Sequence, residues 1–160
     1  MTQLFRDVGG KPLCRPQGSV VCIGAFDGLH RGHQALVGRA AARARELGLP
    51  LVALSFEPLP REYFAPTAPP PRLSLPRAKF EGLRDLGADS VGLLRFDARL
   101  ATMEAEEFIR AVLVERLSAR EVWAGPDFRY GKGRRGDGAM LAAEGARHGF
   151  TAHSIEPVVV

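Results

Sequence analysis

The sequence predicts an α/β fold, a parallel sheet of about five strands with helices on both faces. Short apolar runs at residues 19–23, 51–56, 90–94, 121–124 and 151–155 have the length of buried strands. Segments of helical length and periodicity, or long loops, separate them, and that alternation implies parallel pairing. At 160 residues and 46% hydrophobic, the chain can enclose a single core as one domain.

Each element follows from its own pattern. After the run at 19–23, Leu36, Ala40, Ala44 and Leu47 mark a helix that ends near Gly48. The run at 51–56 leads into residues 57–72, where six prolines with Tyr63 and Phe64 predict an extended path that forms no helix. That stretch is a linker or a substrate loop. Its length and apolar side chains favour the loop. Ser74 and Pro76 open a further helix that buries Phe80, Leu83 and Leu86. The clearest helix is 104–117, with Phe108, Ile109, Val112, Leu113 and Leu117 on one face. Thr102 is its expected N-cap, and Glu104, Glu106 and Glu107 favour its positive end.

Composition narrows the classes. Cys14 and Cys22 form no CxxC pair and have no surrounding histidine cluster, so neither a zinc site nor a disulfide framework is indicated. A reducing cytoplasm fits. No apolar run approaches the roughly 18 residues that span a bilayer, and the first residues lack a signal-peptide core. The net charge of +4 comes from 19 Arg and 3 Lys against 18 acidic residues. These arginines are scattered through helical stretches, which suits phosphorylated substrates and requires no nucleic-acid surface.

The most informative stretch is VVCIGAFDGLHRGH, residues 20–33, where a buried strand stops at Gly24 and a helix begins near Gly32. A helix N-terminus presents unpaired N–H groups to an anion, and Gly28 and Gly32 allow phosphates to approach closely. His30 and His33 add donors that can neutralise charge developing at phosphorus. The bland alternative has His30 as a cap and His33 as a surface or core histidine. Asp27 caps the turn, orients a histidine, or helps hold a magnesium ion.

At these residues the chain resembles the HxGH nucleotidyltransferases and, within them, the adenylyltransferase domain of prokaryotic FAD synthetase. The resemblance rests on GAFDGLHRGH, FEPLPREYF, RLSLPRAKFEGLRDLGAD and GPDFRYGKGRRGD, and it covers nearly the whole chain. It implies a Rossmann-like nucleotidyltransferase fold over residues 1–160, converting FMN and ATP to FAD and pyrophosphate with Mg2+ on the ATP phosphates. It further implies catalytic roles for His30, His33 and Asp27, and ATP contacts at Gly24, Ala25, Phe26, Gly28 and Gly32. Phe56, Pro58, Arg61, Asp127, Phe128 and Arg129 would meet the flavin, with Arg61 a candidate for the FMN phosphate.

Two departures from the family pattern stand out. Leu59 occupies the place of the histidine in FEPHP. The chain also ends at Val160, before the family's Ser-Ser-Thr-x-Ile-Arg motif and its riboflavin kinase domain, so a fragment of a longer bifunctional protein is expected.

Two rival readings remain. GKGRRG, with Gly131, Gly133 and Gly136, matches GxGxxG ahead of a helix, and Glu156 follows as an NAD ribose contact would. Against this, the preceding strand ends near Gly125, so the first glycine does not close it. GPDFRYGKG likewise fails as a phosphate loop because Gly133 stands where Ser or Thr is needed. The second rival is a flavin or ATP sensor that binds without turnover. Arg129, Lys132, Arg134 and Arg135 are phosphate contacts or a solvated loop, and Trp123 is core packing.

Overall fold

The runs SVVCI and LVALSF leave no polar face for solvent, so both belong in the middle of a covered sheet. The computed structural model describes residues 2–14, 17–26, 31–64 and 76–155, without the side chains of 61 and 62. In it, β2 (Ser19–Ile23) and β3 (Leu51–Phe56) are buried at every position. They lie inside a six-stranded sheet with β1 (Gln3–Phe5), β4 (Ser90–Leu94), β5 (Ala119–Ala124) and β6 (Thr151–Ser154). The order is β1-β4-β3-β2-β5-β6 and every pairing is parallel.

Strand alternation sends side chains to two cores. Val20 and Cys22 face α1 (Arg31–Leu47) and α3 (Pro76–Asp85), in a cluster that holds Leu36, Val37, Ala40 and Leu83. Val21 and Ile23 face the opposite side, where Phe108, Val112, Leu113 and Leu141 pack. The helices on that side are α4 (Ala98–Ala101), α5 (Ala105–Phe108) and α6 (Gly138–His148). Between β2 and β5 the chain reverses its direction of winding, having run outward through β3 and β4 before crossing back. Doubly wound sheets bind ligands at the carboxyl ends of strands beside such a reversal.

Four expectations need correction. The edge strand β1 is absent from the sequence reading because three mostly exposed residues carry no periodicity; pairing with β4 orders them. Thr102 does not cap the helix at 104–117. Its hydroxyl donates to the Ala98 carbonyl at 2.7 Å and closes α4, while Glu104 occupies the next N-cap without a side-chain bond. The predicted helix is α5 followed by a π-helix over Ile109–Arg116, where the Leu117 amide reaches back to the Val112 carbonyl. Its five predicted core residues are all buried. Finally, the proline stretch contains a short helix, α2 (Pro60–Phe64). Proline tolerates a first helical position because its missing N–H has no partner there.

Of the helix 76–85, Leu83 is buried and Phe80 and Leu86 pack at the core's margin. Ser74, residues 65–75 and Glu156 lie outside the described residues.

Candidate active site

Three loops leave the sheet at its carboxyl edge from the adjacent strands β5, β2 and β3, and they carry three of the four motifs singled out above. The central loop follows β2. The Gly24 amide donates to the Leu54 carbonyl at 3.1 Å, and the Ser55 hydroxyl donates to the Ala25 carbonyl at 2.9 Å. Phe26 then adopts φ 50°, a left-handed conformation that costs a residue with a Cβ about 1–2 kcal/mol. Complete burial of its ring offsets that cost. The ring edge meets His33 at 5.4 Å and 82° between planes, so Phe26 fixes one side of the imidazole.

His33 is half-buried on the first turn of α1, beside Gly32. That turn of the 17-residue helix holds no acidic residue, and its positive end favours an anion. Asp27, Gly28 and His30 lie outside the described residues. A cleft of about 590 Å³ runs beside α1, between Ala35, Gly38 and Arg39 and the end of β6 at Ser154 and Ile155.

On the β3 side, Phe56 ends the strand with its ring mostly buried. The Glu57–Pro58 peptide is cis, Pro58 is exposed, and Leu59 is buried in the core at 1% exposure. Leu59 thus offers packing where the family pattern has a polar ring. Arg61 lies on α2. Sequence reasoning missed Phe96, which follows β4 and joins an aromatic cluster: its ring is 6.0 Å from Phe56, 5.5 Å from Tyr63 and 5.9 Å from Phe64. Phe64 is 66% exposed, an apolar face open to a flat partner. The available signal was an aromatic residue two positions beyond a strand's carboxyl end. Sequence reasoning also missed Lys79, a fully buried cation paired with Glu57 at 3.1 Å.

On the β5 side, the Phe128 amide closes a turn onto the Gly125 carbonyl at 3.2 Å, leaving Asp127 exposed. Phe128 stacks on Tyr130 at 5.8 Å and is half-buried, while Arg129 is exposed and 3.9 Å from Asp137. Burial, then the carboxylates of Asp137, Glu144 and Glu106, push the Tyr130 hydroxyl above its usual range.

The GKGRRG segment belongs to packing. Gly131 has φ 80°, and a Cβ there would lie 2.7 Å from Ala105 Cα. The Lys132 amide donates to the Met103 carbonyl at 2.8 Å, and Arg135 pairs with Glu106 at 2.9 Å. β5 ends at Ala124 and α6 starts at Gly138, so Gly131 closes no strand and opens only the three-residue 3-10 turn Lys132–Arg134, and the dinucleotide fingerprint has no structural counterpart. Trp123 is core, stacked on His153 at 4.6 Å and donating to Glu121 at 3.1 Å.

Among the described residues, no three His, Cys, Asp or Glu side chains gather as a resident metal ion would need. No helix among them is long and apolar enough to cross a membrane.

A doubly wound parallel sheet with a histidine after Gly32 at a helix start, beside its winding reversal, defines a Rossmann-like α/β protein with a candidate anion site at that edge. The FAD synthetase family model matches residues 14–160, and the chain belongs to that family. It is 38% identical over 154 residues to the bifunctional riboflavin kinase/FMN adenylyltransferase of Escherichia coli K12, covering 96% of this chain and 49% of the relative. The Pseudomonas fluorescens protein of the same name is 42% identical over 153 residues, covering 94% and 49%. The chain thus spans about half the length of these curated relatives.

Among solved structures, one described as a macrolide-efflux protein from Streptococcus pneumoniae superimposes with a TM-score of 0.77 at 25% identity, over 99% of this chain and 52% of the other. A universal stress protein from Archaeoglobus fulgidus shares the fold at a TM-score of 0.51 and 13% identity, over 87% and 93%.

Proposed function

We propose that this chain transfers AMP from ATP to FMN, giving FAD and pyrophosphate. The observation that carries the reading is the placement of three loops side by side at one sheet edge: the histidine-bearing helix start, the FEPLP loop and the DFRYG loop. A phosphate oxygen of FMN attacks the α-phosphorus of ATP, the bond to the bridging oxygen breaks, and pyrophosphate departs. Such displacements depend on alignment and on neutralising charge as it develops.

In this reading the loop at Gly24, Ala25, Phe26, Asp27 and Gly28 and the helix start at Gly32 receive the ATP phosphates, with His30 and His33 as donors. Mg2+ arrives as part of the nucleotide substrate, as is usual for an ion that keeps most of its water and binds through phosphates. Phe56, Pro58, Arg61, Asp127, Phe128 and Arg129 line the flavin side, and the exposed Phe64 and the Phe96 ring extend it. A riboflavin kinase domain, as the relatives' names carry, would supply the FMN.

The buried Leu59 favours one second reading, a domain that binds flavin and ATP with weak turnover. Purified protein incubated with FMN, ATP and Mg2+ and followed by chromatography separates the two. Equal yields of FAD and pyrophosphate are expected. FMN binding by flavin fluorescence without any FAD would leave the sensor in place of the enzyme.

His30→Ala and His33→Ala are each expected to lower kcat by about 100- to 1,000-fold, the loss typical of a removed charge-stabilising donor. Circular dichroism should show His33→Ala folded, since that side chain is half-buried at a helix start. Wild-type turnover in both variants would remove them from the site.

A further inference from the structure

Lys79 lies on α3 with no exposed surface, among the carboxyl ends of the strands. Its Nζ is 3.1 Å from Glu57 Oε2 and donates to Ser55 Oγ at 3.2 Å and to the Phe56 carbonyl at 3.3 Å. Ser55 is itself fully buried, and its hydroxyl passes a proton donor on to the Ala25 carbonyl at 2.9 Å. One ammonium therefore grips the first residue of the FEPLP loop directly and, through one hydroxyl, the loop after β2 immediately before Phe26.

Stability alone does not account for this arrangement. Removing an ammonium from water costs several kcal/mol, and well-packed apolar replacements of buried ion pairs are often neutral or stabilising. What such a group supplies is direction. Three acceptors on consecutive residues fix the offset between α3 and the end of β3, and the hydroxyl of the first of them reaches the loop after β2. The Ala25 carbonyl in turn precedes the left-handed Phe26, whose ring edge touches His33.

We infer that Lys79 is a positioning residue that couples the loop after β2 to the loop after β3 through Ser55, setting the two substrates of the proposed reaction in line. The inference rests on the FMN adenylyltransferase reading for its consequence, though the coupling itself is a property of the unliganded chain.

The test uses Lys79→Met and Ser55→Ala. Hydrogen exchange on the unliganded proteins reads the coupling without turnover: amides at residues 24–26 are expected to exchange roughly tenfold faster in both variants. In steady-state assays kcat should fall roughly 10- to 100-fold in Lys79→Met, with KM for FMN and for ATP little changed, because alignment is lost while each subsite persists. Ser55→Ala should fall less, in the same direction. Unchanged exchange at 24–26 in Ser55→Ala overturns the coupling, and it does so even where Lys79→Met fails to fold. Wild-type kcat in a folded Lys79→Met overturns the positioning role while FAD formation stands. Absence of FAD from the wild-type protein would fault the reaction, with the exchange result still deciding the coupling.

Discussion

The residues that sequence could reveal were those whose type and spacing announce chemistry. His33 stands at a helix start after a buried strand, and Phe56 at a strand's end. Lys79 was illegible because a lysine on a ten-residue helix reads as solvated surface, and only the fold brings Glu57 and Ser55 to it. Tyr130 is a second such case. Its ring packs between Phe108 at 5.7 Å and Phe128 at 5.8 Å, yet its buried hydroxyl has no hydrogen-bond partner among the described residues. A buried, unsatisfied hydroxyl costs about 1–3 kcal/mol. Tyr130→Phe removes the hydroxyl and keeps the ring, so urea denaturation should show a gain of about 1 kcal/mol. A loss of similar size would mean that a bound water or a ligand satisfies the oxygen.

Elements were legible in proportion to how much of their order is local. The strands at 19–23, 51–56 and 90–94 match their predicted bounds because each is a continuous apolar run. β5 begins earlier than predicted, at Ala119, where the ladder with β2 extends past the apolar pattern. The π-helix at Ile109–Arg116 keeps its predicted buried face while shifting one hydrogen bond register, which residue spacing hardly records. Its last residue explains its reach: Arg116 is buried, donates to the Lys11 carbonyl at 2.6 Å and lies over the Phe5 ring at 5.4 Å, tying the N-terminal segment to the sheet.

The connection from β5 to α6 is set by two features of opposite kind. Asp137 caps α6 by accepting from the Met140 amide at 2.9 Å, and Asp137→Ala should cost about 1 kcal/mol, read as a lower Tm. Gly131 has no freedom to change. Its φ of 80° and the 2.7 Å approach to Ala105 together make Gly131→Ala destabilising by more than about 1 kcal/mol. A dinucleotide fingerprint at GKGRRG would instead lose NAD binding at unchanged stability, so thermal melts and an NAD titration on this variant discriminate the two roles of the glycine.

At the scale of the molecule, topology brings separate motifs to one sheet edge. Residues 24–33, 56–64 and 125–131 are distant in sequence, and the strand order places β3, β2 and β5 side by side so that all three leave the sheet at the same edge. The sequence could predict parallel pairing and strand ends; strand order follows from the long-range packing that fills the two faces.

The same burial that builds those faces makes the fold sensitive to base. Cys22 sits in the middle of β2 with no exposure, and burial pushes its thiol from 9.0 up to about 12. Burial also raises Cys14 and Tyr130. A thiol held neutral in the fold but free to ionise in the unfolded chain adds stability that is whole below pH 9.0 and declines as pH rises toward about 12. A shift of that size corresponds to roughly 4 kcal/mol in full. Urea midpoints should therefore hold up to about pH 9 and fall steeply above it. In Cys22→Ala the midpoint on that plateau drops because a small cavity opens, but its decline with pH should be shallower than in the wild type, the remainder coming from Tyr130 and Cys14. Parallel declines in the two proteins would show that the thiol's proton is not what the fold retains.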